Sequence, residues 1–138
     1  MQDKVYIFSK EEFMVLAAAA GISKIYGFSL KETIDDQEAV LVIQKLTEKG
    51  FLISADGKFQ LQEKIAGMFE QIRMVKTTID VHKRSGRSCI VYIGDYGVKV
   101  TVSVNRGEML EIQCIPLKEI WPCLIEEGWI PEEKEILK

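Results

Sequence analysis

Histidine, cysteine and proline are all scarce in this chain: one, three and three residues among 138. A lone His82 is a weak basis for a metal centre or a base–nucleophile pair. Cys89, Cys114 and Cys123 are odd in number, widely spaced and never in a Cys-x-x-Cys pair, which argues against a disulfide framework or a zinc site. Cys89 and Cys114 lie in apolar strand patterns and read as small buried hydrophobes. No apolar run approaches the roughly 20 residues that cross a bilayer. Met1-Gln2-Asp3-Lys4 leads into too short an apolar run for a secretory signal before the polar Ser9 to Glu12. Positive charge is not in surplus: 18 Lys and Arg against 21 Asp and Glu leave a net charge of −3, so no global field draws the chain to nucleic acid or anionic lipid. No two inward-facing carboxylates can be paired for acid–base work. The expectation is a cytoplasmic, non-enzymatic protein with no catalytic residue, no cofactor and no metal.

What is present is an ordinary globular composition, 47% hydrophobic and 28% charged, in a length that fits one domain or a domain with a small module. The most ordered stretch is Val98-Lys99-Val100-Thr101-Val102-Ser103-Val104-Asn105. Its period of two marks a half-buried strand. Val75 to Val81, Cys89 to Ile93 and Met109 to Ile115 read as strands around it. The turns are Lys83 to Ser88, Gly94-Asp95-Tyr96-Gly97 and Asn105-Arg106-Gly107. Gly94 to Gly97 lacks the lysine and following helix of a phosphate loop. Pro116 closes the sheet, and Leu117, Ile120, Trp121, Leu124 and Ile125 form a helical stripe, with Pro122 tolerable in the first turn if the helix begins near Trp121. Pro131-Glu132-Glu133 opens a short final helix.

Before the sheet come Val5 to Phe8, an apolar run that suits an entering strand, and three helices. Ser9 with Glu12 forms a capping box, followed by Phe13, Leu16, Ala17 and Ala20 on one stripe. Ile22 to Leu30 is an apolar loop. Asp35 or Asp36 caps Ala39, Val42, Ile43 and Leu46. Phe51 to Ser54 and Lys58 to Leu61 flank Asp56-Gly57, a strong hairpin signal. Gln62 to Ile72 carries Ile65, Met68, Phe69 and Ile72. The fold class expected is α+β. A winged-helix-like module (residues 1–72) precedes an antiparallel sheet of about four strands packed on helices, with a C-terminal helix (residues 73–138), together one compact domain.

The valines must bury one sheet face. The other is expected to stay open as a protein-binding platform of Lys76, Thr78, Ile90, Tyr92, Lys99, Thr101, Met109, Glu111 and Gln113, unless Ile90, Tyr92 and Met109 pack under the N-terminal module or in a dimer. A winged-helix order invites DNA binding, but Asp35 to Lys49 holds four acids, two lysines and no arginine, a poor match to phosphates and base edges. Lys83, Arg84 and Arg87 are a solvated turn or a contact for an acidic partner.

The order Phe8-Ser9-Lys10-Glu11-Glu12-Phe13, Leu46-Thr47-Glu48-Lys49-Gly50-Phe51-Leu52-Ile53, Asp56-Gly57, Ile79-Asp80-Val81, Arg84-Ser85-Gly86-Arg87, Ile90-Val91-Tyr92-Ile93-Gly94-Asp95 and the valine strand resembles one half of the EspG family of type VII (ESX) secretion, and related short proteins of Gram-positive bacteria. The similarity runs over roughly residues 5 to 127 by pattern, not by invariant motif. The resemblance implies a cytosolic chaperone that holds a helical secretion substrate against a central sheet until export. Family members resemble two related halves in one chain, and here there is one, so a homodimer would be needed to rebuild the second. Two alternatives stand beside it: a winged-helix transcriptional regulator whose sheet senses a ligand or dimerises, and a prophage or structural adaptor.

Overall fold

Local side-chain chemistry sets nearly every boundary in the computed structural model, which describes residues 5–28, 35–83, 87–103 and 109–130. Strand β1 (Val5–Phe8) buries Tyr6 and Phe8 and leaves Val5 and Ile7 outside, as the two-residue period requires. Helix α1 (Lys10–Ala19) begins at the expected capping box: the Ser9 hydroxyl accepts from the Glu12 N–H at 3.0 Å, and the Glu12 carboxylate accepts from the Ser9 N–H at 2.8 Å. Its end is tied by the Gly21 and Ile22 N–H groups bonding back to the Ala18 and Ala17 carbonyls, a common helix stop. Helix α2 (Asp36–Glu48) is capped by Asp35, which accepts from the Glu38 N–H at 2.8 Å, and buries Val42 and Leu46. The other oxygen of Glu12 meets Lys49 Nζ at 3.1 Å, pinning the start of α1 to the end of α2.

Strands β2 (Leu52–Ala55) and β3 (Lys58–Leu61) pair around Asp56 and Gly57. Both turn residues have positive φ, 53° and 76°, the mirror-image turn that Asp-Gly favours. Helix α3 (Glu63–Arg73), capped by Gln62, buries Ile65, Met68, Phe69 and Ile72, the whole stripe read from the sequence.

The remaining strands are β4 (Thr77–His82), β5 (Ser88–Ile93), β6 (Gly97–Ser103) and β7 (Met109–Ile115), and helix α4 (Leu117–Glu126) follows. The main sheet is antiparallel throughout, in the order β1-β7-β6-β5-β4. Val5–Phe8 thus returns to its edge as a fifth strand. One face carries Tyr6, Ile112, Val100 and Ile90 in a row, with Leu110, Val98 and Tyr92 beside them. It is covered by Phe13, Leu16, Leu46, Leu52, Ile65, Met68 and Phe69, and ring pairs such as Phe13–Phe69 (5.3 Å) and Phe8–Phe51 (5.1 Å) knit that layer together. This core draws on residues from both sides of position 72. The opposite face puts Cys89, Val91 and Ile115 under Ile120, Leu124 and Trp129. The fold is therefore α+β, with helices on both faces of an antiparallel sheet.

Two expectations need correcting. Helix α4 starts at Leu117, not near Trp121, so Pro122 is its sixth residue. The missing N–H deprives the Lys118 carbonyl of its i→i−4 donor, and the burial of Ile120 and Leu124 holds the helix across that gap. The second correction is that neither face is wholly open. Val104, the turns at Arg84-Ser85-Gly86 and Asn105-Arg106-Gly107, Ser29-Leu30 and the segment from Pro131 lie outside the described residues.

Gly97 lies directly under Ile120 of α4. A Cβ there would lie 2.8 Å from Ile120 Cδ1 and 3.3 Å from Val91 Cγ1. Gly97→Ala is expected to cost about 1–3 kcal/mol through overpacking, read as a lowered midpoint in urea. Made in an Ile120→Ala background, where the crowding methyl groups are gone, the same substitution should cost less than it does in the parent.

Candidate functional site

The ladder register decides which side chains can meet. Lys99 lies opposite Gln113, and Thr101 opposite Glu111. Across the next ladder Gln113 faces Val5 and Glu111 faces Ile7. These six therefore form a grid on the face that carries α4. Ile120 and Leu124 of the helix, with Trp129, pack on Cys89, Val91 and Ile115 of that face. Val5 and Ile7 remain 47% and 41% exposed, whereas Lys99 and Thr101 are 5% and 3% exposed.

Between the two lies a depression of about 340 Å³, lined by Val5, Arg87, Lys99, Thr101, Glu111, Gln113, Glu127 and Trp129. Lys99 Nζ is ion-paired with Glu127 Oε1 and sits 3.9 Å from Cys123 Sγ. The Trp129 indole N–H donates to the same carboxylate oxygen at 3.2 Å, and the Cys123 thiol donates to the other at 3.4 Å. Burial alone would raise the Glu127 carboxyl, but the hydrogen bond and charge of Lys99, with the Cys123 and Trp129 donors, hold it below the ordinary carboxylate value. Lys83 Nζ lies 4.4 Å from the centroid of Trp129 and the Arg87 guanidinium 5.3 Å from it, so cations stack on the wall of the depression. Burial pushes the Cys123 thiol up. That is opposite to the shift an activated nucleophile shows.

Of the nine residues expected on an open face, Lys99, Thr101, Glu111 and Gln113 converge on this depression. Met109, paired with Ser103, is half-buried two residues before Glu111 on β7. Ile90 and Tyr92 do not belong with them. They pair with Val100 and Val98 and so share the sealed face. The reason is the connection between Ile93 and Gly97, whose three residues pair even-numbered positions with even-numbered ones. Tyr92 is fully buried, and its hydroxyl donates to the Tyr26 carbonyl. Thr78 pairs with Tyr92 on that same side and is half-buried. Lys76 precedes β4, exposed, its N–H on the Ile93 carbonyl at 2.8 Å.

Sequence reasoning missed Val5, Glu127 and Trp129 as lining of the depression, and read Arg87 as part of a solvated turn or of a contact for an acidic partner, apart from the sheet face. Glu127 and Trp129 follow the end of α4, and nothing in their spacing shows that this segment comes back over Lys99 on β6. It also missed the pairing of His82 with Asp80 at 3.0 Å on the β4 edge, where Asp80 accepts from the Tyr26 hydroxyl at 2.9 Å. Among the described residues no three His, Cys, Asp or Glu side chains gather as a metal-binding group, and no helix is long and apolar enough to cross a membrane. The arrangement offers hydrogen-bonding groups of both charges on a rigid floor, with an apolar rim on one side and an aromatic wall on the other. No protein-family model matches the chain, and no curated protein is significantly similar to it.

Proposed function

We propose that this chain is a non-enzymatic, cytoplasmic protein-binding module, a chaperone or adaptor that receives a helical segment of a partner protein on the β1–β7 half of its sheet. The observation that carries this reading is the half-exposed pair Val5 and Ile7, set directly beside Gln113 and Glu111 and the buried Lys99 and Thr101. An amphipathic helix laid there would place apolar side chains on Val5 and Ile7 and polar ones over the mixed-charge floor, the usual division between the core and rim of an interface. The resemblance to the secretion chaperones supports the same use of a central sheet. Helix α2, which would read a groove in a regulator, instead exposes Val40 and Leu41 alongside Asp36, Glu38 and Glu48, a composition suited to protein rather than phosphate.

The test is co-expression with helical proteins encoded beside the gene, followed by measurement of complex affinity. Ile7→Glu and Glu111→Arg are each expected to weaken capture by roughly tenfold or more, the size of a central contact, with the melting temperature of the Ile7 variant unchanged. Affinity unaltered by both would remove the proposal.

A further inference from the structure

Helix α4 has an outer surface that the sheet does not use. Ile120 and Leu124 point into the core. Leu117 and Trp121 are instead 52% and 54% exposed, and Ile125 is half-buried. Positions 117, 121 and 125 form one i, i+4, i+8 ridge, and tryptophan is unusual as an exposed member of such a ridge. The adjoining ridge, 118, 122 and 126, is Lys118, Pro122 and Glu126, all exposed. Charge of opposite sign thus stands at the two ends of the flank, equally spaced about its centre.

We infer that this ridge is the seam of a homodimer in which two α4 helices pack antiparallel about a twofold axis near Trp121. That axis sets Leu117 against Ile125 of the partner subunit and Trp121 against Trp121 of the partner subunit. The same operation brings Lys118 alongside Glu126 of the partner subunit, and Glu126 alongside Lys118 of the partner subunit. A parallel pairing, with its axis along the helices, would carry the two flanks to opposite sides of the seam, so that Lys118 and Glu126 would not meet across it. The flank therefore selects both the partner, a second copy of this chain, and its direction. A twofold contact uses the same patch on both copies, and a ridge whose charges are complementary to their own reversal meets that requirement. With one ten-residue helix from each copy, the interface belongs to the small, transient class, so association depends on concentration. The seam lies on the outer side of α4 and leaves Val5, Ile7 and the depression free, so it stands independently of the binding role proposed above.

Sedimentation of the full chain over a concentration series tests this. The expected mass rises from the 15.7 kDa of one chain toward twice that value. Trp121→Glu should hold the mass at one chain while leaving the circular dichroism spectrum unchanged. Lys118→Glu and Glu126→Lys, each alone, should weaken the dimer roughly tenfold by opposing like charges twice across the axis. The double variant Lys118→Glu/Glu126→Lys should recover the original affinity. That rescue fits two copies of this chain and not a foreign partner. A dimer that survives Trp121→Glu, a double variant no tighter than either single one, or a monomer at every concentration would each overturn the inference.

Discussion

Replacing Tyr92 with alanine is expected to lower the free energy of unfolding by about 3–5 kcal/mol, the usual cost of emptying a buried aromatic site. That is a large share of the roughly 5–15 kcal/mol that holds a domain of this size together. The ring is wholly enclosed, and Val98 is its cross-strand neighbour. Its hydroxyl is tied to the loop carbonyl of Tyr26, and burial keeps it well above the ordinary tyrosine pKa. Tyr92→Phe keeps the packing and removes only the hydrogen bond, so its cost should be about 1 kcal/mol. Urea unfolding separates the two. A Tyr92→Ala protein within about 1 kcal/mol of the parent, a loss typical of less buried sites, would mean that β5 faces the other way. The sequence alone leaves two placements open: Tyr92 on an open platform, where truncation would spare the fold, or Tyr92 packed under the N-terminal module or in a dimer.

The second large effect concerns Lys99. Its ammonium is buried, and its counter-charge is Glu127. Glu127→Ala should cost about 2–3 kcal/mol, because it leaves a buried cation without its partner. Adding Lys99→Met should restore most of that loss, since an apolar chain of similar length fills the same space without a charge. The acid limb provides a check with a defined sign. Because the Glu127 carboxyl is held below its ordinary value of 4.5 in the folded chain, the pair contributes stability above that pH and loses it as pH falls through the lowered value. The gap between the parent and Glu127→Ala should therefore be widest near neutrality and close progressively in acid. A gap that stays constant with pH would show that the carboxylate charge is not what stabilises Lys99.

Much of this architecture is legible in the sequence because its causes are local. Ser9 with Glu12, Asp35 with Glu38, and Asp56-Gly57 each act within four residues, and each does in the structure what its chemistry demands. The stripe Ile65, Met68, Phe69, Ile72 is legible for the same reason. The facing of β5 is not. Cys89 to Ile93 is apolar at every position, so its pattern carries no parity, and only the length of the loop to Gly97 fixes which side chains join the valines. The cover over Lys99 is illegible for a different reason. It depends on where α4 lands after Pro116, and that follows from packing Ile120 and Leu124 on Val91 and Gly97 rather than from any spacing. The candidate site was therefore half visible: Lys99, Thr101, Glu111 and Gln113 from alternation, but not the Glu127 and Trp129 that enclose them.

The pairing of β1 with β7 also has a kinetic side. Among the described residues, Val5–Phe8 pairs with Leu110–Gln113, more than 100 positions further along the chain. During synthesis at roughly 5–20 residues per second, the first strand must wait some seconds for the last. Tyr6 and Phe8 emerge into water long before Leu110 and Ile112 exist to meet them. Contacts so distant in sequence close late and slowly. The same edge is thus a late seam to form on the ribosome and a place where a nascent copy could be caught by something else.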